Sequence, residues 1–268
     1  MLEQKPSLIH RCQLKTNEQV TGTWHCLKLH APDLCGARPG QFVHVRVGAS
    51  SDPLLRRPFS IHHVVAEKNE IWLLVRSVGA GTELLLQARP GAVLDLLGPL
   101  GNGFPAVDEA APALLAGGGI GLAPLYYLAW LRRQAGLPFE LLIGAASCSD
   151  LPADDYFAAQ DLHPLYATED GSHGYRGLIT GLLEQRLREG TPPARIHACG
   201  PLPMLAGVVE LGRRFAVPTH VSLESHLACG VGACLGCAFP FKKGGQIEYR
   251  RICKEGPVFN GEEVCFEI

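Results

Sequence analysis

Up to about Gly98 the chain is built of short apolar runs separated by turn residues, the pattern of β-strands. The run 41–47 alternates with period two, so Val43, Val45 and Val47 share one face. The run 70–78 is apolar almost throughout and reads as a buried strand. Similar runs lie near 8–14, 23–29, 58–65 and 92–97, with one short helix around 82–88. Strands with so little helix between them predict a small antiparallel barrel.

After the Gly- and Pro-rich joint GPLGNGFPAVDEAAP the period changes to strand and helix in alternation. Strands are predicted at 113–116, 139–145, 163–168 and 195–199, and helices at 122–135, 154–159, 176–188 and 201–215. Such alternation implies a parallel sheet wrapped by helices. A further strand at 219–223 leads into the cysteine-rich stretch ESHLACGVGACLGCAFP, and the tail from Gln246 reads as a small β unit closing over it. There is no internal repeat and no low-complexity tract. The division expected is 1–104, 105–216 and 217–268.

Composition narrows the partners. The chain has 268 residues, 47% of them hydrophobic, enough for two cores and a small appendage. Its formal charge is −2, with acidic and basic residues interleaved and no basic run beyond Arg56-Arg57 and Lys242-Lys243. Neither nucleic acid nor an anionic membrane is an expected partner; a protein or a small molecule is. The uncharged stretch 110–131, followed by Arg132-Arg133, is long enough to span a bilayer. Its centre, GGGIG followed shortly by Pro124, instead reads as a strand end opening a helix, so no span is predicted.

Cys229, Cys234 and Cys237 stand in a C-x4-C-x2-C pattern, with Cys253 after fifteen intervening residues. That spacing is an iron-sulfur signature. The chain between such close cysteines must curl tightly to aim them at one centre, and Gly230, Gly232 and Gly236 supply permissive backbone. These glycines also expose amides that can donate to cluster sulfur. Structural zinc is one rival, since four thiolates suit a tetrahedral ion, but zinc ribbons present two C-x2-C knuckles and here the second is a lone cysteine. A disulfide framework is the other; the opening MLEQKPSLIH has no apolar signal segment, and a chain of this length needs no staples. Cys12, Cys26, Cys35, Cys148, Cys199 and Cys265 read as small buried hydrophobes in a reducing cytosol.

Four motifs add candidate cofactor sites. RRPFS (56–60) begins a barrel strand, where an arginine can fork onto a pyrophosphate and extended backbone can read a flat ring; a solvated edge is the plain alternative. GAGTELLL (79–86) puts Gly81 and Thr82 at a helix start, an anion site or an ordinary cap. Together the two favour a dinucleotide such as FAD. GGGIGLAP (117–124) follows a strand and opens a helix, so Gly117, Gly118, Gly119 and Gly121 let a pyrophosphate approach the helix amino end. A tight turn is its alternative, since it is not a strict GxGxxG. CGPLPML (199–205) brings Cys199, Gly200 and Pro201 to a strand end where ligands collect, or makes a simple Gly-Pro turn.

In this order RPFS, GAGT, GGGIGLAP and CGPLPML resemble the ferredoxin-reductase superfamily, whose members pair an FAD barrel with a nicotinamide-binding α/β domain. With CGVGACLGC and RICKEGPVF (251–259) added, nearly the whole chain resembles the electron-transfer subunits of NAD-dependent dihydroorotate dehydrogenase, an enzyme of pyrimidine synthesis. The resemblance implies a multi-domain chain: an antiparallel β-barrel FAD domain, an α/β parallel-sheet NAD domain and a small C-terminal 2Fe-2S domain. It implies that Arg57, Pro58, Phe59, Ser60, Leu74, Val75, Arg76, Gly81 and Thr82 bind FAD, and that Cys229, Cys234, Cys237 and Cys253 ligate the cluster. Many relatives carry an aliphatic residue where Phe59 stands. Related transhydrogenase and sulfide dehydrogenase subunits often have aspartate at the first ligand, where this chain has Cys229, and oxygenase reductases place the fourth cysteine much further away.

The path implied runs from NADH to FAD to cluster to partner, or in reverse, with flavin as the converter between paired and single electrons. No general acid or base is expected; His62, His63 and His226 read as structural or exposed. Orotate chemistry would belong to an FMN-containing catalytic subunit, in a cytoplasmic heterotetramer of two of each, docked near Leu227, Val231 and Leu235. A reductase subunit of another oxidoreductase and a zinc-bearing adaptor are the alternatives. Asp150, after the second strand of the nicotinamide domain and with no arginine nearby, points to NADH over NADPH.

Overall fold

The computed structural model describes residues 8–48, 52–105, 111–189 and 193–266. Strands β1 (Ile9–Thr21), β2 (Trp24–His30), β3 (Phe42–Val45), β4 (Arg57–Val65), β5 (Glu70–Arg76) and β6 (Val93–Leu100) close into an antiparallel barrel in the order β1-β2-β5-β4-β3-β6. Val43, Val45 and Val47 fill its interior with Ile61, Leu73, Val75 and Leu96. β1 runs well past residue 14, because its polar second half pairs with β2 (Glu18↔Cys26, Gln19↔His25) in a solvated arm that leaves no apolar period to read. The short helix α1 (Ala80–Leu86) follows β5.

The second unit runs β7 (Ala113–Gly118), α2 (Leu122–Gln134), β8 (Phe139–Ala145), α3 (Asp154–Ala158), β9 (Leu165–Thr168), β10 (Tyr175–Arg176), α4 (Ile179–Glu189), β11 (Arg195–Cys199), α5 (Leu202–Arg214) and β12 (Thr219–Ser222). These strands are parallel, in the order β10-β9-β8-β7-β11-β12. The chain adds strands outward from β7 on one side and then resumes with β11 on the other, which puts the topological switch point between β7 and β11. The helix expected from residue 176 starts at Ile179, because Tyr175–Arg176 extends the sheet edge and Gly177 (φ +133°) turns the chain. The uncharged stretch read earlier is divided between β7 and α2, and no helix among the described residues is long and apolar enough to cross a membrane.

The last segment forms a hairpin of β13 (Ala238–Lys243) and β14 (Gln246–Arg251), then the short α6 (Ile252–Glu255) and β15 (Val258–Asn260). Gly244 and Gly245 make the two-residue turn, both with φ positive (+57° and +83°) as a twist-matched hairpin requires. The tail does not act as one unit: β15 pairs antiparallel with β12 and caps the large sheet. Phe239, Phe241, Ile252, Cys237 and Cys253 share one hydrophobic core with α4, α5 and the sheet. The cysteine segment is thus anchored in the second unit, while Phe42 from the barrel joins the same core.

Candidate functional site

A cleft of about 390 Å³ opens between the barrel, the start of α2 and the chain flanking the thiols. Arg57, Pro58, Phe59 and Ser60 line it from β4, Leu74 and Arg76 from β5, and Thr82 from α1. Val75 is the exception among the expected β5 residues: alternation turns its side chain into the barrel core. The Arg57 guanidinium lies over Gly81, where an added side-chain carbon would meet Arg57 Nε at 2.8 Å. Positive charge and the unpaired amides of a helix start are therefore brought together, as a phosphate requires. The Thr82 hydroxyl donates to the Gly79 carbonyl (2.8 Å) and accepts from the Val78 amide (2.9 Å), so it caps the turn. Arg56 is a strut instead, 2.8 Å from the Asp95 carboxylate and donating to the Asp95 and His44 carbonyls.

The opposite wall was not read from the sequence as part of this cleft, and Leu227, expected in the docking patch, belongs to it. Ser222, Leu223, Glu224, Ser225 and Leu227 come from the exit of β12, Ile252 opens α6 and Pro257 follows it. Only the folding of the last segment onto the barrel gathers them. Glu224 is open to the cleft, yet desolvation by the surrounding walls lifts its carboxyl pKa above the ordinary range.

A second cavity of about 230 Å³ lies over the carboxyl ends of the parallel strands, lined by Gly118, Gly119, Gly144, Asp150, Glu169 and Pro201 among others. This is the switch point, where open parallel sheets hold ligands. Arg76 lines both cavities, so they meet at its side chain. Gly117 and Gly121 have a packing role: Gly117 lies against Leu122, and a side chain at Gly121 would collide with the Cys199 carbonyl. Gly200 is pressed against Gly118 and Met204. Cys199 is buried behind this turn, outside the lining, and burial raises its thiol pKa. Asp150 sits in the turn Cys148–Asp150 and does face the cavity; Glu169 was not anticipated, though its place just after β9 would have marked it.

The histidines divide by burial. His62 Nδ1 donates to the Ala123 carbonyl (2.9 Å), leaving Nε2 to accept from the Tyr156 hydroxyl (2.6 Å), and burial holds its pKa down at about 3. His63 is wedged between Trp72 and Trp130, and His226 is exposed. Among the other cysteines, Cys12, Cys26 and Cys265 are buried as expected, but Cys35 is half-buried and Cys148 is exposed on the turn after β8.

The thiols of the last segment form two pairs. Cys237 and Cys253 are each 2% exposed, with sulfurs 3.3 Å apart. Cys229 and Cys234 lie in the exposed loop, where Cys229 accepts from the amides of Val231, Cys234 and Ala233 and from the Cys234 thiol, which lowers its pKa to about 6. Burial acts the other way on Cys253, pushing it up to about 12, partly offset by a hydrogen bond from the Gly232 amide. The Gly236 amide donates to Cys234 at 3.4 Å. The curl uses left-handed backbone at Gly230 (φ +72°), Gly232 (φ +83°) and Leu235 (φ +58°); Gly236, expected to supply it, does not. Among the described residues no three or more His, Cys, Asp or Glu side chains close on a single ion position. Two thiol pairs with amides aimed at sulfur are the kind of donor set that a two-iron centre takes.

Comparison with known proteins agrees with this geometry. Residues 11–104 match the oxidoreductase FAD-binding domain family, and residues 224–265 match the iron-sulfur cluster binding domain of dihydroorotate dehydrogenase B. The chain is 44% identical over 233 residues to the dihydroorotate dehydrogenase B (NAD(+)) electron transfer subunit of Bacillus caldolyticus, covering 85% of this chain and 86% of the relative. It is 40% identical over 249 residues to the subunit of the same name from Desulforamulus reducens, covering 92% and 95%. A solved structure of an NADH-dependent reduced ferredoxin-NADP oxidoreductase, described for flavin-based electron bifurcation, superposes with a TM-score of 0.82 at 30% identity, covering 96% of this chain and 91% of that one. With an FAD-binding barrel, an iron-sulfur segment and relatives matched over nearly their full length, the chain belongs to the family of electron transfer subunits of dihydroorotate dehydrogenase B (NAD(+)).

Proposed function

We propose that the chain carries electrons between NAD(H) and an FMN-containing dihydroorotate dehydrogenase catalytic subunit, bound FAD supplying the conversion between paired and single electrons and a 2Fe-2S cluster the single-electron relay. The observation that carries this reading is a shared wall. Leu227, two residues before Cys229, and Ile252, immediately before Cys253, both line the 390 Å³ cleft formed by Arg57–Ser60 and Arg76. A ring held on β4 is thereby set beside the thiol seat.

The chain's own residues have distinct tasks in this scheme. Arg57 and the first turn of α1, with Gly81 and Thr82, hold the FAD pyrophosphate; Pro58, Phe59, Ser60, Leu74 and Arg76 enclose the ring, with Val75 setting the strand from inside the barrel. Gly118, Gly119 and Pro201 receive NAD(H), with Gly117, Gly121, Cys199 and Gly200 shaping the turns, and Asp150 favours NADH by repelling a 2′-phosphate. Cys229, Cys234, Cys237 and Cys253 hold the cluster. The working division is 1–104 for flavin, 105–216 for nicotinamide and 217–268 for the cluster, the last lending β12 and β15 to the sheet. Val231 and Leu235, 41% and 63% exposed beside the outer thiol pair, form the docking patch for the catalytic subunit in a cytoplasmic heterotetramer of two of each.

Co-purification from the native host tests this. The expected result is a yellow-brown complex with a second flavoprotein that forms orotate with NAD. A colourless chain free of iron and flavin contradicts it. A second reading, the same module serving a different oxidoreductase, draws on the likeness to the ferredoxin-NADP oxidoreductase, and recovery of a partner that does not oxidise dihydroorotate would favour it.

A further inference from the structure

Arg251 ends β14, two residues before Cys253. Its Nη1 donates to the Gly232 carbonyl at 2.7 Å, and its Nε lies 3.1 Å from both oxygens of Glu255, which Nη2 also engages. Glu255 in turn accepts from the Arg251 backbone amide at 2.6 Å. The peptide whose carbonyl Arg251 holds carries the Ala233 amide, which donates to Cys229 Sγ at 3.3 Å. Gly232 lies flat against α6, where an added carbon would meet Lys254 Cβ at 2.8 Å. One guanidinium thus ties the loop bearing Cys229 and Cys234 to the element bearing Cys253. After Glu255, the thiols of Cys253 and Cys237 are the next groups that favour its charge, so it is within electrostatic reach of the buried pair.

We propose that Arg251 sets the reduction potential of the cluster, its charge stabilising the added electron, its grip on Gly232 aiming an amide at sulfur, and Glu255 partly cancelling that charge. This rests on the reading that these four cysteines hold a 2Fe-2S centre. Reduction adds one negative charge, which a nearby cation favours and a nearby carboxylate opposes. The side chains are 35% and 34% exposed, so solvent weakens the effect without abolishing it. The two residues should therefore act with opposite sign.

The test is an EPR-monitored redox titration of the full chain holding FAD and cluster, comparing Arg251→Gln and Glu255→Gln with the unmodified protein. Arg251→Gln is expected to lower the potential, shifting the reduced-to-oxidised ratio about tenfold at fixed poise, ~59 mV for one electron. Glu255→Gln is expected to raise it. A bracing role alone would change melting and cluster retention without this reversal of sign. Potentials unchanged in both variants, or moved in the same direction, overturn the proposal. If Arg251→Gln retains no cluster, Glu255→Gln decides alone: a rise supports the proposal, and no change or a fall overturns it. Absence of an iron-sulfur signal in the unmodified protein would instead overturn the cluster reading itself.

Discussion

The flavin cleft and the thiol seat hold their shapes by different means. The cleft is built on strands of a closed barrel, its Arg57–Ser60 wall paired along β3 and its Leu74–Arg76 wall paired along β2. Three thiols of the seat hang on the irregular loop between β12 and β13, with Gly230, Gly232 and Leu235 in left-handed backbone, and Cys253 stands on α6; Cys237, Cys253 and Leu227 reach a hydrophobic core. The difference teaches that the barrel can present its cleft before any cofactor arrives, whereas the loop would need iron to draw its outer thiol pair and the buried pair onto one centre. Leu235 in left-handed backbone carries a cost of about 1 kcal/mol and leaves its apolar side chain 63% exposed beside the outer pair.

Replacing an inner thiol strains the comparison most. Cys253→Ser is expected to abolish the cluster signal in visible and EPR spectra while FAD stays bound at normal stoichiometry; loss of both would mean the two seats are one structure. Arg57→Gln probes the other side. Removing charge-assisted bonds to phosphate costs about 1.5–3 kcal/mol, so FAD affinity should fall roughly tenfold to a hundredfold with iron content unchanged, as read by equilibrium dialysis and iron assay.

Within the loop, Gly230→Ala puts a carbon 2.6 Å from His44 Nδ1 at φ +72°. A cost of about 2 kcal/mol is expected, seen as faster cluster loss on dilution. Gly236→Ala, whose nearest atom would be Cys234 Sγ at an ordinary 3.5 Å, should be nearly silent in the same assay. A more modest effect than that of Gly230→Ala is expected in the cavity over the parallel strands: Asp150→Arg should shift the NADPH-to-NADH ratio of kcat/KM upward by about tenfold, leaving FAD and cluster content alone.

The barrel and the parallel sheet were legible because their strands bury one or both faces and so print a period on the sequence, as Val43, Val45 and Val47 do. The solvated half of β1 prints none, and β13 lies too close behind Cys237 to separate from the thiol motif. For the site, a local motif revealed what a local motif builds: Arg57 over Gly81, Gly118 and Gly119 in the cavity, and the cysteine spacing. What remained hidden was the wall made of Ser222 to Ser225, Leu227 and Ile252, assembled only when the last segment folds onto the barrel. Gly236 was misread for a related reason, since spacing alone does not tell which residue of a curl takes the left-handed turn.

The shared wall between cleft and thiols is tested most directly by mixing the anaerobic, fully loaded chain with NADH and following flavin absorbance and the cluster EPR signal together. The account predicts that both centres are reduced, and that the Arg57→Gln chain depleted of FAD keeps its cluster oxidised under the same conditions. Reduction of the cluster without flavin, or a fully reduced flavin beside a cluster that stays oxidised although its potential permits reduction, would contradict it.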